Sequence, residues 1–391
     1  MDFTIPEELK MVRTLVRDFV KDQLLPVERE VLGRDVDLAG ARLSLTPETE
    51  DKLVDMVKEI GLWGLSVPEE LGGVGLGVLG TCLVEEELAK TIVPFNFGDV
   101  TPILFECNEE QKEHYLLPLL QREKRAYLAL MEPGKRADLT AMEMRAERAD
   151  GSYLLNGRKI SLSRLGDDSF AVVFAITDSE KGVRGGVTCF LVDSDTPGFS
   201  VIGGKEKTGW QAQVVEPVLL LFNQCRVPAE NVLGEEGEAF YLGKKWLPSR
   251  RIVRGARCVG AGARLLEVST EYAKTWERFG QPIFKLPSIQ TALADMTTDI
   301  HAARLTVYHA AWKADAGEKI HQEAAMVKIF ATGMLHRVAD RAVQIHGGPA
   351  FTEKLPLGRL CRSALAMSAT ELALELQRAI IVADLLKGLG Q

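Results

Sequence analysis

Apolar residues recur every three or four positions in PEELKMVRTLVRDFVKDQLLPVE (6–28) and in TPETEDKLVDMVKEIGLWGL (46–65), the spacing of one buried helical face. Thr46 followed by Pro47 predicts a helix start, with a side-chain cap and then proline in the first turn. SVPEELGGVGLG (66–77) interrupts the pattern as a glycine-rich loop, and NEEQKEHYLLPLL (108–120) resumes it. Near residue 126 the period shortens. SYLLNGRKISLS (152–163), FAVVFAI (170–176), GGVTCFLVD (185–193) and VEPVLLLFNQCRVP (215–228) are β-rich runs, divided by Asp150-Gly151, Asn156-Gly157 and Pro197-Gly198. No helical segment separates them, so an antiparallel barrel or sandwich is expected instead of βαβ units. From 236 the helical period returns in four long segments: 249–279, 285–317, 322–348 and 371–390. The expected fold is mainly α with a small central β domain: an N-terminal helical domain (1–125), a β domain (126–235) and a C-terminal four-helix bundle (236–391). The long helices are apolar on more than one face, which predicts burial against a partner chain.

Composition narrows the class. Of 391 residues 46% are hydrophobic, enough for two or three domains. The net charge is −8 and no long basic block occurs, which argues against a nucleic-acid partner. No run of eighteen apolar residues predicts a membrane span, and MDFTIPEELKMVRTL lacks the order of a signal peptide. The six cysteines contain no C-x-x-C and read as reduced core residues, so a cytoplasmic setting is expected. The six histidines contain no H-E-x-x-H, so no metal site is expected.

MSATELALELQR (367–378) carries two carboxylates, Glu371 and Glu375. Ser368-x-x-Glu371 has capping-box spacing, and Glu375 can pair with Arg378 one turn on. Read locally, both are ordinary helix residues.

Five motifs, in order along the chain, change that reading. GLWGLSVPEELGGVGLG (61–77), MEPGKRAD (131–138), CRVPAENVLGEEGEAF (225–240), RFGQPIFKLPSIQTALADM (278–296) and AVQIHGGPAFTEKLPLGRLCRSA (342–364) resemble segments of the acyl-CoA dehydrogenases. The resemblance implies a flavoprotein oxidoreductase acting on a CH–CH group. In such an enzyme a carboxylate removes the α-proton of an acyl-CoA thioester while the β-hydrogen leaves as hydride to N5 of FAD. So weak an acid requires donors on the developing enolate oxygen and a base shielded from water. Anchored by Leu376-Gln377-Arg378, the family's base falls on Glu371, with Leu372 and Ala373 replacing its glycine and threonine. The family's alternative position for the base reads Pro248-Ser249-Arg250-Arg251, without a carboxylate.

The cofactor positions are mixed. Gln344, Gly347, Gly348 and Phe279 match the family's FAD-contacting residues. The positions usually held by threonine, serine and a β-strand aromatic are Met131, Ala137 and Ser161. The arginine that pairs with the pyrophosphate is Trp276, with Arg278 two residues on as a substitute, and a glutamine position is Pro287. Arg251 aligns with an arginine near the substrate; Arg250, Arg254 and Arg257 share one helical face and read either as ion-pair partners or as phosphate contacts. His346 reads as a buried structural histidine. Three readings stay open. One is a homotetrameric enzyme of fatty acid metabolism and lipid degradation that passes electrons to an electron-transfer flavoprotein, or to oxygen. Another is one subunit of a heterotetramer of the steroid side-chain type. The last is a non-catalytic acyl-CoA-binding relative.

Overall fold

The computed structural model describes residues 4–33, 45–135, 139–161, 168–202, 218–352, 355–369 and 373–387. Along the chain come α1 (Glu7–Phe19), a π turn (Val20–Leu24), α2 (Leu25–Gly33), α3 (Pro47–Glu59) and α4 (Gly77–Leu88). Two short helices, α5 (Glu109–Gln111) and α6 (Leu117–Gln121), lead into the strands. These are β1 (Arg125–Ala129), β2 (Arg145–Ala149), β3 (Ser152–Ser161), β4 (Ser169–Ile176), β5 (Val187–Asp193), β6 (Phe199–Ile202), β7 (Val218–Pro228) and β8 (Val232–Leu233). Then follow α7 (Ala239–Thr275), a small hairpin of β9 (Glu277–Arg278) and β10 (Gln281–Pro282), α8 (Pro287–Asp315), α9 (His321–His346), α10 (Leu357–Ala369) and α11 (Leu374–Lys387). The expected plan of helices, a central β region and long helices is the observed one. The periodicity did not single out α10, whose 13 residues are shorter than the helices around it.

The chain divides into two compact units. The first comprises residues 1–65, 76–97 and 248–391, the second 66–75 and 98–247.

In the helical unit, the Thr46 side chain caps α3 by accepting the Thr49 N–H at 3.3 Å, as its sequence predicts. Small residues let α7, α8 and α9 pack closely: Ala256, Ala303, Ala310, Ala311, Ala324 and Ala331 are all buried in one core. Gly260 of α7 meets α4 backbone to backbone, since a Cβ there would stand 2.0 Å from the Glu86 carbonyl oxygen. α4 has no side-chain cap of its own. Asp315, at the end of α8, supplies one by accepting from Val78 N at 2.6 Å and Leu79 N at 2.9 Å. Three consecutive glutamates of α4 are buried, and successive residues of a helix face different neighbours. Glu86 accepts from Arg13 (3.0 Å), Arg304 (3.0 Å) and the Tyr308 hydroxyl (2.8 Å). Glu87 accepts from Arg13 (2.8 Å), Arg17 (3.2 Å) and Lys90. Glu85 lies 3.4 Å from Arg257. The network explains how so acidic a helix can be interior: each charge has a cationic partner.

In the β unit, one sheet runs β6-β7-β3-β2-β4-β5-β8, with β1 added beside β4. Its pairings are antiparallel except β1–β4 and the single contact of β2 with β4, which are parallel. A register shift in β3 falls between Leu155 and Gly157, where a Cβ would approach Met144 to 2.9 Å. Alternate residues of β3 (Tyr153, Leu155, Lys159 and Ser161) point inward and are buried.

Candidate active site

The sequence-derived site residues fall into separate groups, each best described within its own unit. In the helical unit, α7 and α9 come together at their C-terminal ends. Tyr272 of α7 stacks on His346, the last residue of α9, with ring centroids 4.3 Å apart, and its hydroxyl donates to the His346 carbonyl at 3.4 Å. Trp276, one turn beyond Tyr272, stacks on it at 5.5 Å and 13° between planes. His346 Nδ1 lies 2.8 Å from the Ala342 carbonyl, which can only accept, so Nδ1 carries the proton. Burial lowers the imidazole pKa and keeps the ring neutral, leaving Nε2 a buried lone pair with no hydrogen-bond partner among the described residues.

Directly after His346, Gly347 adopts φ +65° and ψ −134°, a conformation open to glycine, and a Cβ at Gly347 or Gly348 would meet nothing within 4 Å among the described residues. The turn is therefore open, with its backbone accessible to a large group. Gln344 lies exposed on the same end of α9. Across the β9–β10 turn, Phe279 and Gly280 both have positive φ (53° and 75°), the signature of a tight hairpin turn. Phe279 is 90% exposed, and holding an aromatic residue in that conformation costs about 1–2 kcal/mol. Arg278 is exposed on β9. Burial raises the Tyr272 phenol, and the nearby Arg278 charge partly offsets that rise. The hairpin thus brings a cation to the column of rings.

In the β unit, the Met131 carbonyl accepts from Ile160 N at 2.8 Å in an isolated bridge, which places Met131 beside Ser161, itself 1% exposed. This corner is clamped by a buried ion pair. Lys159, fully buried, donates to Glu132 Oε1 at 2.9 Å and to the Leu130 carbonyl at 3.1 Å. Glu132 also accepts from Met144 N (3.0 Å) and Glu143 N (2.8 Å). Burial works against the carboxylate, but these donors hold its pKa below the usual range, while burial pulls the Lys159 amine down to about 8.

Arg251 is buried on α7, and Arg257, which shares a face with Arg250 and Arg254, pairs with Glu85, which favours the ion-pair reading for Arg257. Glu371 and Ala137 lie outside the described residues. The capping box, however, is corrected: Ser368 belongs to α10, which runs on to Ala369, and its hydroxyl donates back to the Leu365 carbonyl at 2.8 Å. It therefore cannot cap the last helix, which starts at Leu374. Glu375 makes an exposed pair with Arg378 at 3.7 Å, as its spacing predicts. Sequence reasoning missed the Tyr272–Trp276 stack and the Glu132–Lys159 clamp. The signals were an i,i+4 aromatic pair and a lysine at an inward strand position.

Three domain profiles of one family cover nearly the whole chain: the acyl-CoA dehydrogenase N-terminal domain (residues 6–123), middle domain (128–219) and C-terminal domain (240–386). The protein belongs to the acyl-CoA dehydrogenase family and is an oxidoreductase of that class. It is 34% identical over 398 residues to (R)-benzylsuccinyl-CoA dehydrogenase of Thauera aromatica, covering 99% of this chain and 97% of that one. Butyryl-CoA dehydrogenase from Megasphaera elsdenii is similar in structure (TM-score 0.84, 32% identity, 99% of this chain and 100% of that chain). So is a chain solved in work on the electron transferring flavoprotein of Acidaminococcus fermentans (TM-score 0.85, 33% identity, 99% and 100%).

FAD is the cofactor of this family. The helical unit fits it: an open glycine turn, an orphaned buried acceptor at His346 and a cation at Arg278 stand together. In the β unit, Met131 offers no hydroxyl, and the buried Ser161 is the polar side chain beside it.

Proposed function

We propose that this protein carries out FAD-dependent α,β-dehydrogenation of an acyl-CoA thioester, with Glu371 as the base that takes the α-proton. The observation that carries the assignment is the Ser368 hydroxyl, which donates to the Leu365 carbonyl within α10 at 2.8 Å. That hydrogen bond excludes the competing role of Glu371 in a capping box with Ser368. FAD, when bound, accepts the β-hydride. The chain's own residues supply the rest. Glu371 holds the abstracted proton. Arg251 faces the substrate, and the Gly347–Gly348 turn with Gln344, Arg278 and Phe279 receives the dinucleotide. Met131, Ala137 and Ser161 are the candidate cofactor positions of the β domain.

The same reading places the domain divisions near 125 and 235, the protein in the cytoplasm as a homotetramer, and its role in lipid degradation. An electron-transfer flavoprotein takes the electrons onward, in keeping with the similarity to the Acidaminococcus chain. No described helix is long and apolar enough to cross a membrane. A second reading, one subunit of a heterotetramer in which unlike chains share the flavin site, is favoured by Met131 and Trp276, where the expected threonine and arginine are missing.

The test is spectroscopic. The purified protein should be yellow, and an acyl-CoA thioester added without oxygen should bleach the flavin bands. Glu371→Gln should keep the colour and lose the bleaching by about a thousandfold or more in rate. Bleaching that survives in Glu371→Gln sinks the base assignment. A colourless chain that gains flavin only on mixing with a related subunit selects the second reading.

A further inference from the structure

We propose that the exposed indole of Trp276 is a stacking platform for the adenine ring of FAD, in place of the arginine-to-diphosphate contact that the family resemblance implies there. The inference rests on the proposed placement of the dinucleotide at the Gly347–Gly348 turn. The three rings Trp276, Tyr272 and His346 form a stacked column that begins at the surface, where Trp276 is 47% exposed, and ends at buried His346, immediately before the turn. The column is rigid. Trp276 N donates to the Tyr272 carbonyl at 2.8 Å, and the Trp276 carbonyl accepts from Ile283 N at 2.9 Å. An indole fixed in this way loses little freedom when a ligand stacks on it.

Charge selects the ligand class. The column is neutral from end to end: indole and phenol carry no charge near neutral pH, and burial keeps the His346 imidazole uncharged. It carries no charge to pair with a phosphate, but it offers a flat, uncharged, polarisable ring a π-face. The cation needed for the diphosphate stands separately on Arg278, two residues beyond the indole. The open space over Gly347 and Gly348 leaves the diphosphate room between that cation and the turn. Of the two ring systems of FAD, the isoalloxazine is committed to the thioester, which leaves the adenine for Trp276.

The test is to strip the protein of flavin and titrate it with FAD, FMN and ADP, following flavin anisotropy and tryptophan fluorescence. Trp276→Ala should weaken FAD binding about 10- to 100-fold. Trp276→Tyr should restore most of that loss, and FMN, which lacks adenine, should bind equally to all three proteins. ADP should quench part of the tryptophan emission of the unaltered protein and none in Trp276→Ala. Unchanged FAD affinity in Trp276→Ala overturns the platform while leaving the cofactor assignment standing. An equal loss of FMN affinity overturns it too, by placing the isoalloxazine there instead. If the unaltered protein binds no FAD either alone or mixed with a related subunit, platform and cofactor site fall together. A change of sedimentation mass in Trp276→Ala at constant FAD affinity overturns it by assigning the indole to a contact between copies.

Discussion

Removing Glu132 should destabilise the β unit far more than removing its partner Lys159. The carboxylate accepts three hydrogen bonds: from Lys159 Nζ and from the backbone N–H groups of Glu143 and Met144. Glu132→Ala leaves a fully buried ammonium whose remaining acceptor here is the Leu130 carbonyl. Stranding one member of a buried pair costs about 3–5 kcal/mol, and the orphaned Met144 N–H adds roughly 1–3 kcal/mol. Lys159→Met is milder, because two backbone donors still satisfy Glu132 and the new side chain fills the lysine's volume; about 2 kcal/mol is expected. The double variant Glu132→Gln/Lys159→Met keeps an acceptor for the backbone groups and removes both charges, so it should cost about 1 kcal/mol. Urea denaturation followed by far-UV circular dichroism gives the three free energies. The pH dependence is a second readout. The folded Lys159 amine titrates near 8, against 10.5 for an ordinary lysine. Between those values the unfolded chain holds a proton that the folded chain has lost, so stability should rise with pH across that window. The rise should vanish in Lys159→Met. Were Glu132→Ala no more destabilising than Lys159→Met, the clamp would not be the buried, three-donor arrangement described here.

The remaining predictions concern the helical unit. Gly260→Ala should cost about 3 kcal/mol or more, read as a lowered melting temperature or insoluble expression, because its Cβ would meet the Glu86 carbonyl at 2.0 Å. Gly333→Ala on α9 is the control: its nearest neighbour is the flexible Arg337 tip at 3.5 Å, and a stability gain of about 0.5–1 kcal/mol is expected. Asp315→Ala removes the acceptor for Val78 and Leu79 N–H and should cost about 1 kcal/mol in chemical denaturation, with Asp315→Asn losing less. Burial works against the Glu87 carboxylate, but Lys90, Arg13 and Arg17 outweigh it and hold the pKa below its usual 4.5. Its stabilisation is therefore complete above pH 4.5 and fades as pH falls through the lowered value. Thermal melts from pH 6 downward should show a shallower acid decline for Glu87→Gln than for the unaltered protein.

The chain's periodicity, taken alone, determined the kind and order of elements: helices where apolar residues fall every three or four positions, strands where they alternate, and a start at Thr46. Five motifs in order determined the family, because each constrains local backbone and chemistry that a single sequence displays directly. The tertiary structure decided what depends on distant neighbours. Three successive glutamates of α4 are interior because Arg13, Arg304 and Arg257 arrive from other helices to pair with them and the Tyr308 hydroxyl donates to Glu86. Alternation puts Lys159 at an inward position of its strand, but only the fold brings Glu132, 27 residues earlier, to pair with it. Ser368 and Glu371 have capping-box spacing, yet packing carries α10 on to Ala369 and turns the serine hydroxyl back to Leu365. The reason is the same in each case. Periodicity is a property of adjacent residues, whereas burial of a charge and the end of a helix are settled by the elements packed against them.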